Sequence, residues 1–260
     1  LTKRFTAEFS LRAFIEQEPE RTYPILERWT SDPSPHVRRL VSEGTRSRLP
    51  WAPRLRSVQE EPGRVLDLLE RLKDDPEEYV RRSVANNLND LSKDHPEVVV
   101  GIAERWWKDG GGPRRRLVRH ALRTLIKAGN PEALSVLGYG ADSPARIVGT
   151  TCEPARVAIG GKVRVETTVL NPPGGETGAL VDFRVHFVKA DGSTRPKVFK
   201  GAERLLGAGE KATIRKTISV AQHSTRKHYP GVHRVEVLLN GTAYPGAEFT
   251  LGPEDGGEGV

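Results

Sequence analysis

The chain has a single cysteine, no methionine and no long apolar run. With only Cys152, no internal disulfide framework can form, which suits a reducing cytoplasm. No paired base accompanies Cys152 in sequence, so a cysteine nucleophile is not expected. No segment approaches the roughly 20 apolar residues of a membrane helix. The opening LTKRFTAEFS has no long apolar stretch and no small-residue cleavage site, so no signal peptide is expected. The chain starts at Leu1 and is expected to be a piece of a longer protein. Phosphate-loop and H-E-x-x-H patterns are missing; GGGPRRR and GGK read as turns. His223, His228 and His233 recur every five residues, but no cysteine or carboxylate pattern completes a metal site. Neither a metal nor a cofactor is expected.

What is present is a basic, charge-rich composition. The net charge is +7 and charged residues are 29%. Residues 1–140 carry 25 Lys+Arg against 21 Asp+Glu, and residues 141–260 carry 16 against 13. Such an excess permits a phosphate-backbone partner without demanding one.

Two periods divide the chain. In EYVRRSVANNLNDL, Val80, Val84, Leu88 and Leu91 lie four, four and three apart, one apolar stripe of an α-helix. DDPEEYVRRSV at 74–84 echoes SDPSPHVRRLV at 31–41 with an offset of 43. PRRRLVRHAL, with Val118 and Arg119, is a third copy at an offset of 38 from Val80 and Arg81. YPILERWTSD, VLDLLERLKDD and VVVGIAERWWKDG read as the alternate helices. Self-similarity near 40 residues predicts HEAT-like repeats. Beyond 138–144 the period becomes two: VDFRVHFVK alternates Val181, Phe183, Val185 and Phe187 with polar residues. About seven strands, with turn signals PPGG, ADG, GAGE and NG between them, predict an immunoglobulin-like sandwich. The expected architecture is multidomain α + β: a helical HEAT-like solenoid over 1–140, an all-β sandwich over 144–252, and a disordered acidic tail over 253–260.

Three stretches stand out. Arg82, Asn86 and Asp90 form a polar stripe on the second repeat; Arg39, Glu43 and Ser47, with Arg46 beside them, form its counterpart on the first. The third repeat offers His120 and Thr124, flanked by Arg123 and Lys127. Stacked repeats would align these stripes, with cations following phosphates. Solvated helix faces also look like this, although Asn is a poor mid-helix residue and needs another reason to be there. In EGTRSRLPW, Trp51 follows Arg46 and Arg48; it either plugs a junction between repeats or presents an aromatic face to a base or cation. FTAEFSLRAFI places Glu8 among Phe5, Phe9 and Ile15, where it either serves the helix dipole or does chemistry.

The motifs AEFSLRAFI, HVRRLVSEGTRSRLPW and YVRRSVANNLNDLSKDHP together resemble the AlkC branch of the AlkC/AlkD alkylpurine DNA glycosylases. The resemblance is dense over residues 5–107 and weaker to about 140. One AlkC subgroup ends in an immunoglobulin-like domain, and members carry further helices before the EF stretch. The resemblance implies a monomeric bacterial enzyme, cytoplasmic and acting at the nucleoid, that excises cationic alkylated bases such as N3-methyladenine from double-stranded DNA. It needs no metal or cofactor. Carried over residue by residue, Asp90 is the carboxylate that stabilises an oxocarbenium-like sugar and positions water, Glu8 is a second carboxylate, and Trp51 is an aromatic wall. Arg39, Arg46, Arg48, Arg82, Asn86, Arg119, His120, Arg123 and Lys127 are the expected DNA contacts. No deep base pocket is expected on a repeat surface, so the lesion is met from the backbone side of bent DNA. The basic segments STRPKVFKG and HSTRKHYPG suggest that the β half clamps the duplex, or else it is a spacer. The competing reading is a HEAT-repeat scaffold that binds nucleic acid or an acidic protein without chemistry.

Overall fold

The computed structural model describes residues 2–4, 6–140, 142–222 and 227–254. Phe5, positions 223–226 at the start of the second basic segment (His223 among them) and positions 255–260 of the expected tail lie outside the described residues. The chain forms two compact units, Leu1–Ala128 and Gly129–Val260.

The first unit is helical: α1 (Glu8–Gln17), α2 (Pro19–Trp29), α3 (Pro35–Gly44), α4 (Arg56–Glu60), α5 (Gly63–Leu72), α6 (Glu78–Leu91), α7 (Pro96–Lys108), α8 (Gly112–Ala121) and α9 (Arg123–Ala128). Proline stands in the first turn of α2, α3, α7 and α8, where the missing N–H has no partner to lose. The three V-R helices are successive neighbours, α3 against α6 and α6 against α8, and α2, α5 and α7 flank them. Val80, Val84, Leu88 and Leu91 are all buried. Each such side chain contributes about 1.5–3 kcal/mol in transfer free energy.

The sequence echo has a physical cause. Arg38 Nη1 donates to the carbonyls of Asp32 (2.8 Å) and Pro33 (3.2 Å). Arg81 makes the same pair of bonds to Asp75 and Pro76. Each arginine thus fastens its own helix to the D-P turn before it. Arg38 also reaches the next copy, gripping Asp75 through Nε (2.6 Å) and Nη2 (3.0 Å). The Asp75 carboxylate accepts the Glu77 N–H (2.9 Å) just ahead of α6, so one buried side chain joins two repeats and starts a helix.

The second unit opens with α10 (Pro131–Val136), capped by Asn130, whose Oδ1 accepts the Ala133 N–H at 2.7 Å. Gly241 leaves room for Leu134 of α10, and a Cβ there would collide with it. The units therefore divide at Ala128/Gly129, ahead of the break expected at 140. The strands are β1 (Arg146–Glu153), β2 (Arg156–Ile159), β3 (Lys162–Leu170), β4 (Thr177–Val188), β5 (Thr194–Leu206), β6 (Lys211–Ser219), β7 (Gly231–Leu239) and β8 (Thr242–Glu254). They form a sheet β1-β3-β6 and a sheet β2-β8-β7-β4-β5. The alternating Val181, Phe183, Val185 and Phe187 of β4 enter a core with Val163, Val165, Ile214, Val235 and Phe249. β8 runs past the break placed at 252, so Pro253 and Glu254 belong to a strand rather than to a tail.

Candidate active site

Glu8, Leu11, Arg12 and Ile15 share the buried face of α1, so a carboxylate and a guanidinium stand among core side chains. Glu8 accepts Arg39 Nη1 at 2.5 Å and the Thr6 hydroxyl. Burial opposes ionisation of Glu8, but the bonds from Thr6, the backbone and Arg39 outweigh it and hold the carboxyl below its ordinary value. Arg39 Nη2 lies 3.8 Å from Glu43, and Glu43 accepts Arg46 Nη1 at 2.7 Å. Arg46 Nε donates to Asp90 Oδ2 at 2.8 Å, and Lys93 Nζ to Asp90 Oδ1 at 3.1 Å. Glu8–Arg39–Glu43–Arg46–Asp90–Lys93 is therefore a chain of alternating charge. It runs through all three stretches singled out in the sequence, with Glu8 from one, Glu43 and Arg46 from EGTRSRLPW, and Asp90 from RRSVANNLND.

Arg12 ties the rest of EGTRSRLPW to the same chain. Arg12 Nη1 donates to the carbonyls of Arg46 (2.6 Å) and Gly44 (3.4 Å), and Nη2 to that of Pro53. This fixes both ends of the loop that carries Trp51. Trp51 does not plug a junction: it is 97% exposed, with φ of +61°. A bulky residue in the left-handed region costs on the order of 1–3 kcal/mol, and such positions concentrate at functional sites.

The asparagines of RRSVANNLND have separate duties. Asn87 is fully buried, and its Nδ2 donates to the Ser42 carbonyl (2.8 Å) and to Thr45 Oγ1 (3.0 Å), holding α6 against α3. Asn89 is also buried and bonds Thr124. Asn86 faces outward, and its Oδ1 accepts His120 Nε2 (3.0 Å) and Arg123 Nη2 (3.2 Å).

The expected DNA contacts divide in two. Arg39 and Arg46 are committed to Glu8, Glu43 and Asp90, and Arg48 grips Asp94 through Nη2 (2.5 Å) and Nε (3.2 Å). These three guanidinium groups are held by carboxylates of the chain itself, Glu43 from one turn away and Glu8, Asp90 and Asp94 from distant stretches. Arg82, Arg123 and Lys127 are exposed, and none of them forms an ion pair among the described residues. Arg119 lies over the Trp107 ring at 5.9 Å. Burial, then Arg123 and Arg82, push the His120 pKa down. That favours the neutral ring, and His120 lines with Arg82 and Arg116 a groove of about 200 Å³ between α6 and α8. Sequence reasoning missed Arg12, Ser83 and the central place of Glu43. The available signal was a charged residue spaced with Leu11 and Ile15 on one helix face.

In the β unit, the two basic segments meet. Arg195, Lys197, Lys227 and Tyr229 line one pocket of about 490 Å³, with Lys189. His233 is buried in the core, stacked on Phe249. Its Nδ1 accepts the Val188 N–H at 3.1 Å and its Nε2 donates to the Tyr229 carbonyl at 3.2 Å, so both nitrogens serve the backbone. Burial pushes the Cys152 thiol up to about 11.

Comparison with known proteins gives three findings. Residues 146–253 match the family described as "Uncharacterised protein YhaZ, C-terminal Ig-like domain". The uncharacterized protein YhaZ of Bacillus subtilis is 35% identical over 251 residues, which span 96% of this chain and 69% of the relative. The alkylpurine DNA glycosylase AlkC of Pseudomonas fluorescens, solved on DNA containing an abasic site analog, superposes with a TM-score of 0.90 at 40% identity. That match covers 96% of this chain and 70% of the AlkC chain.

Proposed function

Because the chain belongs to the family of AlkC alkylpurine DNA glycosylases and their YhaZ-type relatives, we propose that it hydrolyses the N-glycosidic bond of cationic alkylated bases in duplex DNA, N3-methyladenine among them. The helical unit is read as a HEAT-like array and the β unit as its immunoglobulin-like partner. The observation that carries the reading is the alternating-charge chain that holds Glu8 and Asp90 as buried carboxylates, with exposed Trp51 on a loop fastened to it.

An N3-alkylated purine is a positively charged leaving group and needs little acid catalysis. As its bond to C1′ breaks, the electron pair leaves with the base and positive charge develops on the sugar. Asp90 stabilises that charge, and water adds at C1′ with loss of a proton. A carboxylate has about four lone-pair sites, so Asp90 can accept from Arg46 and Lys93 and still align a water. Arg46 keeps the carboxylate in one orientation, which supplies preorganisation. Trp51 meets the cationic base, a contact of roughly 0.5–2 kcal/mol, and so acts on selectivity more than on rate. Arg82, Arg123 and Lys127 are assigned to phosphates, and the basic pocket of the β unit to the duplex backbone away from the lesion. Every proposed residue comes from one chain, so a monomer suffices, acting at the bacterial nucleoid.

The test is release of 3-methyladenine from methylated duplex DNA, comparing the chain with Asp90→Asn at equal DNA occupancy. Loss of one preorganised electrostatic partner is expected to slow release by on the order of 10²–10³. Bound DNA without release from either protein would leave a DNA-binding scaffold in place of an enzyme.

A further inference from the structure

Ser83 lies on α6 one turn before Asn87, on the face turned to α3 and away from exposed Arg82 and half-buried Asn86. It is buried, and its hydroxyl donates to Glu43 Oε2 at 2.7 Å. A hydroxyl has one proton and an ionised carboxylate has none to give, so the direction of that bond is forced. The Ser83 oxygen is left as an acceptor, and the Ser42 hydroxyl gives its one proton to it at 2.7 Å in preference to the Arg39 carbonyl at 3.1 Å. Ser42 is held in turn, because its carbonyl accepts Asn87 Nδ2. The result is a directed series, Ser42 to Ser83 to Glu43, at the crossing of α3 and α6.

Its outlet is the other oxygen of Glu43. Oε1 accepts Arg46 Nη1, and Arg46 Nε holds Asp90 Oδ2. The terminal torsion of glutamate is broad. With Ser83 on one oxygen and Arg46 on the other, the carboxylate plane has one setting. Free Oε2 and the plane can turn, and Arg46 then loses the geometry that aims it at Asp90. We propose that Ser83 is a positioning residue for Asp90, acting through Glu43 and Arg46; the inference rests on the glycosylase reading of Asp90. Ser83 touches no substrate in this scheme. Its contribution is the fixed aim of a group two bonds of the network away, and small misplacements in such a shell are costly in rate.

The experiment uses the full chain, wild type, Ser83→Ala and Ser83→Thr. Three quantities are measured: single-turnover base release at saturating methylated DNA, the Kd for that DNA, and solvent exchange of the Arg46 Nε–H by NMR in the free protein. In Ser83→Ala, release is expected to slow on the order of tenfold and Arg46 exchange to quicken by a similar factor. The Kd is expected to stay unchanged, and Ser83→Thr, which keeps the hydroxyl, to return both values toward wild type. A purely structural helix contact would lower the melting temperature of Ser83→Ala while leaving rate and exchange alone; that result overturns the proposal. Should Ser83→Ala not fold, Ser42→Ala keeps the Ser83–Glu43 bond and is expected to show a smaller change in the same two readouts; no change overturns the proposal. Exchange is read without substrate. A wild-type chain that releases no base therefore overturns the glycosylase reading, whereas unchanged exchange in Ser83→Ala overturns the positioning link itself.

Discussion

Glu8 is ionised against the tendency of its own burial, by Thr6, backbone and Arg39 together. Its folded carboxyl lies below the unfolded value, near 4.5. The stability it contributes is therefore complete above that value and is lost as pH falls through the lower folded one. The thermal midpoint of the wild-type chain, followed down through this window, should fall more steeply than that of Glu8→Gln, with the curves converging at the acid end; parallel curves would refute the linkage. At this scale the sequence was partly legible. Glu8, Trp51 and Asp90 could be chosen because they stand in family-like motifs. Arg39, Arg46 and Arg48 were assigned to phosphates, since an arginine on a polar stripe reads the same whether it meets solvent or a carboxylate. Glu43 lies one turn from both Arg39 and Arg46, but Glu8, Asp90 and Asp94 come from distant stretches, and spacing cannot show them.

Between elements, the Arg38–Asp75 grip explains why the echo at an offset of 43 could be read at all. A repeat that must bind its own D-P turn and its neighbour's carboxylate keeps Asp, Pro, Val and Arg at fixed places. Asp75→Ala leaves Arg38 unpaired in a confined site and removes the acceptor at the start of α6, and is expected to cost about 3–5 kcal/mol in urea unfolding. Arg64→Ala, which breaks an exposed pair with Glu20, should cost about 0–1 kcal/mol. Equal losses would show that the grip is not what joins the copies. The short α4 was not foreseen, because five residues display no period. In the β unit, Asn240 and Gly241, with φ of +49° and +82°, make the turn that the NG dipeptide predicted. The short β2 gave no signal, because four residues at a sheet edge barely alternate.

For the whole molecule, the proposed chemistry and the proposed binding draw on different charges. The chain from Glu8 to Lys93 is internally balanced, while Arg82, Arg123, Lys127, Arg195 and Lys227 are exposed. Salt should then weaken DNA binding but leave the rate of the bound complex nearly constant. Replacing Arg195 and Lys227 together by Ala is expected to make the salt slope of DNA affinity shallower by roughly 2, at unchanged release from saturated complex. An unaltered slope would remove the β pocket from the duplex. The meeting of those two basic segments was legible only as a shared composition, since strand order brings them together and sequence order does not. One feature gives this balance an optical readout. Of the four tryptophans, Trp106 is buried, Trp29 and Trp107 are partly covered, and Trp51 stands in water. An indole so exposed is expected to emit at the red edge and to be open to iodide quenching, so the chain carries its own fluorophore at the point where the lesion is proposed to arrive.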